Sequence, residues 1–313
     1  MNNLNLIDVL NAQHRIRPYL PPTPLEKTHG LGDSVYFKLE TVNPTHSFKI
    51  RGALNAILAQ AGIAREKGII AASAGNHAIG VAYGASLMGA HATIVMPSHA
   101  PKRKVDGAER YGATAILHGD IYDDAEICAR ELEQEQGKLF ISPYNDPYVL
   151  VGQGTISLEV FDQLPHVERL IVPASGGGLL GGVAMAAKLI NPDIEIIGVQ
   201  SVATPAMHNL FYDDHLPQRD TIADGLAGDI ENGSITIPIC KTYTDHIVLV
   251  EEAAIYEAIR WMFRTHGWVI EGAAAVGIAA LLEKKIAQDE KDTVIIISGG
   301  NIDADKFLGL MNT

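Results

Sequence analysis

Short, unbroken apolar runs alternate with helical patterns along almost the whole chain, and this alternation restricts the architecture more than any other feature. Strand candidates lie at 69–72, 92–96, 114–117, 170–172, 194–199, 247–250 and 294–297. They are continuously apolar and do not alternate with polar residues, as expected of strands covered on both faces. Helical patterns fall between them at 78–87, 101–111 and 122–136, the last acidic and amphipathic. Strands alternating with helices predict βαβ units, a mostly parallel sheet and an α/β fold. Dense turn signals at 42–47 and 142–147 flank about one hundred residues of regular alternation, enough for a small domain. The expected division is a large domain from 1–51 and 148–313, with 52–147 inserted as a smaller one.

Composition narrows the partners. The chain has 313 residues, 47% apolar and 19% charged, as in a soluble globular protein. Its formal net charge of −13 repels phosphate backbones, so nucleic acid is not an expected partner. The N-terminus has no basic and apolar leader pattern, and no apolar run reaches the length of a membrane span. Neither a secretory signal nor a membrane association is therefore expected. Cys128 and Cys240 stand alone, outside any Cys-x-x-Cys pair, which argues against metal or redox chemistry and fits a cytoplasmic protein.

Three strand ends share one chemistry. Residues 69–72 run into Ser73-Ala74-Gly75-Asn76-His77, residues 170–174 into Ser175-Gly176-Gly177-Gly178-Leu179, and residues 294–297 into Ser298-Gly299-Gly300-Asn301. Glycine admits a ligand close to the backbone, and free N–H groups at a helix start attract anions. Open α/β sheets bind ligands at the carboxyl ends of their strands, so three such loops can line one crevice. One loop alone is equally well explained as a tight turn; the repetition favours a ligand. The second loop also fits G-x-G-x-x-G through Gly176, Gly178 and Gly181. A dinucleotide site wants an acidic residue at the end of the next strand, and Gln200 stands there. A phosphate anchor suits the loop better than a nicotinamide or flavin site.

Lys49 lies in Thr45-His46-Ser47-Phe48-Lys49-Ile50-Arg51-Gly52, at the start of an amphipathic helix running through Ile57. A lysine among apolar groups loses charge readily, which frees its amine for Schiff-base chemistry and proton abstraction. By itself such a lysine is more simply a solvated helix start.

The segments together are more telling. Ser-Phe-Lys-Ile-Arg-Gly around Lys49, then Ser-Ala-Gly-Asn-His, Ser-Gly-Gly-Gly-Leu and Ser-Gly-Gly-Asn, in this order, resemble the fold-type II pyridoxal-phosphate enzymes. The likeness is to the serine/threonine dehydratase (threonine ammonia-lyase) and serine racemase branch, from Thr23-Pro24-Leu25 to Asp303. It implies two domains, each a mostly parallel sheet flanked by helices, as in the tryptophan synthase β subunit. It also implies pyridoxal 5'-phosphate carried on Lys49, with Phe48 beside the pyridine ring and Asn76 on the ring hydroxyl. The amides of Gly176, Gly177, Gly178 and Leu179 would hold the phosphate, and Ser298 would meet the ring nitrogen. Ser73, Ala74, Gly75, Asn76 and His77 would form the loop that receives the substrate carboxylate. Glu271 matches a position near the cofactor, or is an acidic helix start.

Departures refine the expectation. Racemases carry a second serine where Ala74 stands, so the likeness is to an eliminase that dehydrates and deaminates L-threonine or L-serine to a 2-oxo acid and ammonia. A dehydratase of 3-hydroxyaspartate or phenylserine, or a serine racemase, stays open. The synthases of this fold show Thr-Ser-Gly-Asn-Thr in the substrate loop, which is absent here. Racemases also hold a divalent ion on carboxylates at the positions of Gln200 and Ala206, so no metal is expected. A chain ending at Thr313 has no room for the regulatory domain of the allosteric dehydratases, and a homodimer is the usual assembly. From a different class, a dinucleotide-binding oxidoreductase is disfavoured by Gln200, and a non-catalytic binding module has no need of a Schiff-base lysine.

Overall fold

The computed structural model describes residues 4–312. The chain opens with α1 (Leu6–Ile16), β1 (Leu25–Lys27), β2 (Val35–Leu39), α2 (Lys49–Ala59) and α3 (Ala61–Lys67). Then come β3 (Ile69–Ala72), α4 (Asn76–Leu87), β4 (Ala92–Met96), α5 (Lys102–Glu109), β5 (Thr114–Leu117), α6 (Tyr122–Gln136) and β6 (Leu139–Phe140). Helix α7 (Pro147–Gln163) leads to β7 (Arg169–Pro173), α8 (Gly178–Ile190), β8 (Glu195–Ser201), α9 (Ala206–Tyr212), α10 (Thr236–Tyr243) and β9 (His246–Val250). The chain closes with α11 (Glu252–His266), α12 (Gly272–Leu282), β10 (Thr293–Ile297) and α13 (Ala304–Met311).

Two sheets result. The larger runs β1-β2-β10-β7-β8-β9 and is parallel except for the β1–β2 pair. The smaller runs β5-β4-β3-β6 and is parallel throughout. All four of its strands fall between β2 and β7 in sequence, so the smaller unit is inserted into the larger one. This is the two-domain α/β architecture expected from the sequence.

Burial explains the unbroken apolar runs. Ile295 and Ile297 of β10 pack on one face with Phe37, Leu39, Ile171 and Val276 of α12. Val294 and Ile296 pack on the other with Val172 and with Leu180 and Val183 of α8. Each fully buried aliphatic side chain contributes about 1.5–3 kcal/mol, so a strand apolar on both faces is anchored twice. In the smaller sheet Ile69 and Ala71 face one cluster, and Ile70 and Ala72 the other. The expected strands are all present, within two residues at either end. Strands β1, β2 and β6 are additional, as are their positions at or beside sheet edges for β1 and β6.

Strands β3, β7 and β10 end within two residues of Ser73, Ser175 and Ser298.

Candidate functional site

Residues 46–48 and 298–300 form a short antiparallel ladder. Gly300 N donates to His46 O at 2.9 Å, Ser47 pairs with Gly299, and Phe48 N donates to Ser298 O at 2.9 Å. The turn entering this ladder places His46 at φ +54°, a left-handed conformation rare for a side-chain-bearing residue. The ring of His46 approaches Thr41 O at 3.2 Å. Lys49 follows as the first residue of α2, so the lysine and Ser298 are positioned by the same backbone pairing.

Lys49 Nζ lies 5.2 Å from the Phe48 ring centroid and donates to Pro143 O at 2.9 Å. Its side chain keeps some accessible surface yet is surrounded by protein atoms. Burial pulls its pKa down to about 8, against the opposing pull of Glu271. The neutral amine that nucleophilic chemistry requires is therefore far more populated near neutral pH than for an ordinary lysine.

The residue after Pro143 shapes the glycine loop. A Cβ on Gly176 would meet the Tyr144 ring at 2.7–2.9 Å, and one on Gly178 would meet Tyr144 Cα and Cβ at 2.9 Å. Gly177, at φ +85°, is the N-cap of α8 and has Met207, Thr236 and Cys240 behind it. Thr236 Oγ1 donates to Gly176 O at 2.7 Å, which fixes the loop from below. No side chain caps α8, so the amides of Gly178, Leu179 and Leu180 have no helical partner and suit an anion.

Helix α4 likewise starts without a side-chain cap, after Gly75, whose N–H bonds Ser73 Oγ at 3.1 Å. Asn76 Nδ2 donates to Glu271 Oε1 at 2.8 Å, and Asn76 Oδ1 accepts from Asn301 Nδ2 at 2.8 Å. Asn301 also reaches Thr45 O at 2.9 Å. Glu271 is the N-cap of α12 and is buried; burial, with Asp224 adding to it, pushes its pKa up to about 7 despite the Asn76 hydrogen bond. His77 turns inward: Nε2 lies 2.8 Å from Ile141 O, so that nitrogen carries the proton. Burial, reinforced by the charge of Lys49, lowers its pKa to about 3, so His77 is neutral and its backbone N–H is what it offers the loop.

Contacts thus link Phe48 to Ser298, Lys49 to the Gly176–Gly178 loop by way of Pro143 and the adjacent Tyr144, and Asn76 of the Ser73–Asn76 loop to Glu271 and Asn301. These residues fit pyridoxal phosphate. The loop has no room for a Cβ at Gly176 or Gly178, and the uncapped amides that open α8 suit an anion. Sequence reasoning missed Pro143, Tyr144 and Thr236 and quoted Asn301 in its loop without a role; the turn signal at 142–147 marked the first two as a loop but not as a wall of the site. Gln200 is buried and closes its own loop, donating to Thr204 O at 2.9 Å and accepting from His208 N at 2.7 Å, so it cannot reach a ribose. Among the described residues no three or more His, Cys, Asp or Glu side chains are grouped to hold a metal ion.

Comparison with known proteins agrees with this chemistry. A family model described as pyridoxal-phosphate dependent enzyme matches residues 16–299. An L-threonine ammonia-lyase of Thermotoga maritima is 40% identical over 316 residues, spanning 99% of this chain and 78% of that protein. A catabolic L-threonine dehydratase of Staphylococcus aureus is 41% identical, spanning 98% of this chain and 92% of that protein. Among solved structures, maize serine racemase superposes with a TM-score of 0.91 at 34% identity, covering 98% of this chain and 97% of that one.

Proposed function

The chain belongs to the family of pyridoxal-phosphate dependent enzymes, and on that premise we propose that it eliminates water from a small β-hydroxy amino acid, L-threonine or L-serine, and then consumes one water in releasing ammonia, leaving a 2-oxo acid. The observation that carries this reading is Lys49, its pKa lowered by burial, backbone-locked beside Ser298 and facing the glycine loop through Pro143 and Tyr144.

When bound, pyridoxal phosphate supplies an electron-accepting ring conjugated to the amine it carries. The amides of Gly176, Gly177, Gly178 and Leu179 would hold its phosphate, Phe48 would pack beside its ring, Ser298 would meet the ring nitrogen and Asn76 the ring hydroxyl. The uncapped first turn of α4, with Ser73, Ala74, Gly75 and Asn76 before and within it, binds the substrate carboxylate through backbone N–H groups. Glu271 and Asn301 hold the Asn76 amide from both ends, which fixes its orientation. Lys49 Nζ takes the proton from the substrate Cα. Ala74 has no proton to return to Cα from the opposite side, so elimination outruns racemisation. We further propose domain boundaries at 52 and 147 and a cytoplasmic homodimer, the dimer supported by the exposed Ile7 and Leu10 on α1. No helix among the described residues is long and apolar enough to cross a membrane.

The test is turnover. Purified protein loaded with pyridoxal phosphate should release 2-oxo acid and ammonia in equal amounts from L-threonine or L-serine, with negligible D-enantiomer in the unreacted amino acid. Release from neither substrate overturns the reading, and D-enantiomer comparable to product overturns the role given to Ala74.

A further inference from the structure

The turn that carries Lys49 is gripped by a group of charges that the proposed reaction does not use. Arg51 is buried, with Nε at 2.6 Å from Glu40 Oε2 and Nη2 at 2.9 Å from Glu40 Oε1. In the other direction, Nη1 lies 2.6 Å from Glu159 Oε1 and Nη2 lies 2.8 Å from Glu159 Oε2. Lys38 Nζ, also buried, lies 2.7 Å from Glu159 Oε2 and donates to Thr23 O at 2.6 Å and to Gln163 at 2.9 Å. Glu40 accepts further bonds from Thr23 Oγ1 and Asn43 Nδ2, both at 2.7 Å. Burial works against charge on Glu159, but Arg51 and Lys38 outweigh it and hold its carboxyl below the usual range. Two cations and two carboxylates therefore cancel inside the protein.

Such a cluster is a poor source of stability, because desolvating four charges costs about as much as their attraction returns. Its geometry is specific, however. A guanidinium bonded bidentately to two carboxylates has no freedom to rotate. Lys49 and Arg51 are two residues apart, about 200° around the helix, so the grip is on the side away from Lys49. The remaining sides are closed by backbone. A Cβ on Gly80 of α4 would meet Ile50 N and the Lys49 carbonyl carbon at 3.3 Å. One on Gly152 of α7 would meet Gly52 Cα at 2.7 Å and Arg51 O at 2.8 Å.

We propose that Lys38, Glu40, Arg51 and Glu159 form a positioning cluster that sets the rotation and height of the first turn of α2, and with them the place of Lys49 Nζ in the crevice. This inference rests on Lys49 being the reactive lysine. The four residues come from β2, the turn after it, α2 and α7, so the cluster ties the lysine to the frame of the larger sheet.

Two variants test it. Arg51→Lys keeps the charge and loses the fork; Lys38→Met with Glu159→Gln keeps the cluster neutral and leaves the Arg51–Glu40 pair. Thermal melts and circular dichroism establish which is folded. In a folded variant, turnover per bound cofactor should fall about tenfold or more with KM nearly unchanged, since misplacing a reacting group by an ångström is that costly. In the cofactor-free protein, reductive methylation of Lys49 followed across pH by peptide mass spectrometry should show a midpoint displaced from that of the parent, whose neighbours Glu271 and His77 are untouched. A folded variant with a lower melting temperature but the parent's kcat and methylation midpoint shows that the cluster is only structural and overturns the proposal. A displaced midpoint in a protein whose parent turns over neither L-threonine nor L-serine sustains the positioning role and overturns the proposed reaction instead.

Discussion

Helices α4 and α8 begin in the same way and meet different surroundings. Each follows a strand whose end carries a serine, each has glycine at the N-cap, and neither has a side-chain cap. Beside Gly75, before α4, an added Cβ would touch nothing within 4 Å. Beside Gly176, Gly177 and Gly178, before and within α8, it would run into Tyr144, Met207, Thr236 or Cys240 at 2.7–3.0 Å. The α8 loop is backed by Tyr144, Met207, Thr236 and Cys240 and suits a group that stays; the α4 loop has open space beside Gly75 and suits one that arrives and leaves. On the proposed reading, similar sequence chemistry would serve a resident phosphate in one place and a passing carboxylate in the other, and packing behind the loop would make the difference.

The comparison breaks most readily at Gly178. Gly178→Ala forces its Cβ against the Tyr144 backbone, a clash costing about 1–3 kcal/mol, so cofactor affinity should fall roughly ten- to a hundredfold by equilibrium titration. Gly75→Ala has open space and a negative φ, so cofactor affinity should hold while KM for the amino acid rises a few-fold. Equal loss of cofactor affinity in both variants would erase the distinction between the loops.

Glu271 sharpens the comparison through pH. Its folded pKa, pushed up to about 7 from 4.5 chiefly by burial, means that the folded protein holds a proton the unfolded chain has released. Its contribution is therefore most favourable below about pH 4.5 and declines as pH rises through about 7. The stability of the cofactor-free parent relative to Glu271→Gln, from urea midpoints, should fall across that window and level off above it. A constant difference would mean that the carboxyl titrates normally and does not hold Asn76 in the way described. The smallest effect is expected at Ser298. Ser298→Ala removes one neutral hydrogen bond to a cofactor held elsewhere, about 1 kcal/mol, so a fewfold loss of affinity is the most that should be seen.

Much of this was legible in the sequence where one segment carried the whole signal. The runs at 69–72 and 92–96 match β3 and β4 because both faces of those strands lie against other elements, whereas the run at 114–117 matches β5, an edge strand whose end residues Thr114 and Leu117 are exposed. Strand β2 escaped notice because Lys38 breaks its apolar run. The lysine is tolerated there by Glu159, distant in sequence, and no local pattern announces such a pairing. Strand β6 is only two residues long, too short for periodicity. The glycine loops could be read as ligand sites from composition alone, but not which was closed, since Tyr144 and Thr236 lie far from Gly176 in sequence. His77 was read with its loop, and only the structure shows its ring committed to Ile141 O.

The proposed chemistry depends on Lys49 carrying the cofactor. Borohydride reduction of the loaded protein, which fixes lysine-bound pyridoxal phosphate irreversibly, followed by peptide mass spectrometry, tests this most directly. The expected result is the added mass on the peptide containing Lys49, and its loss in a folded Lys49→Ala protein that no longer turns over substrate. The mass on another lysine, Lys104 for example, or undiminished turnover by Lys49→Ala, would contradict the account.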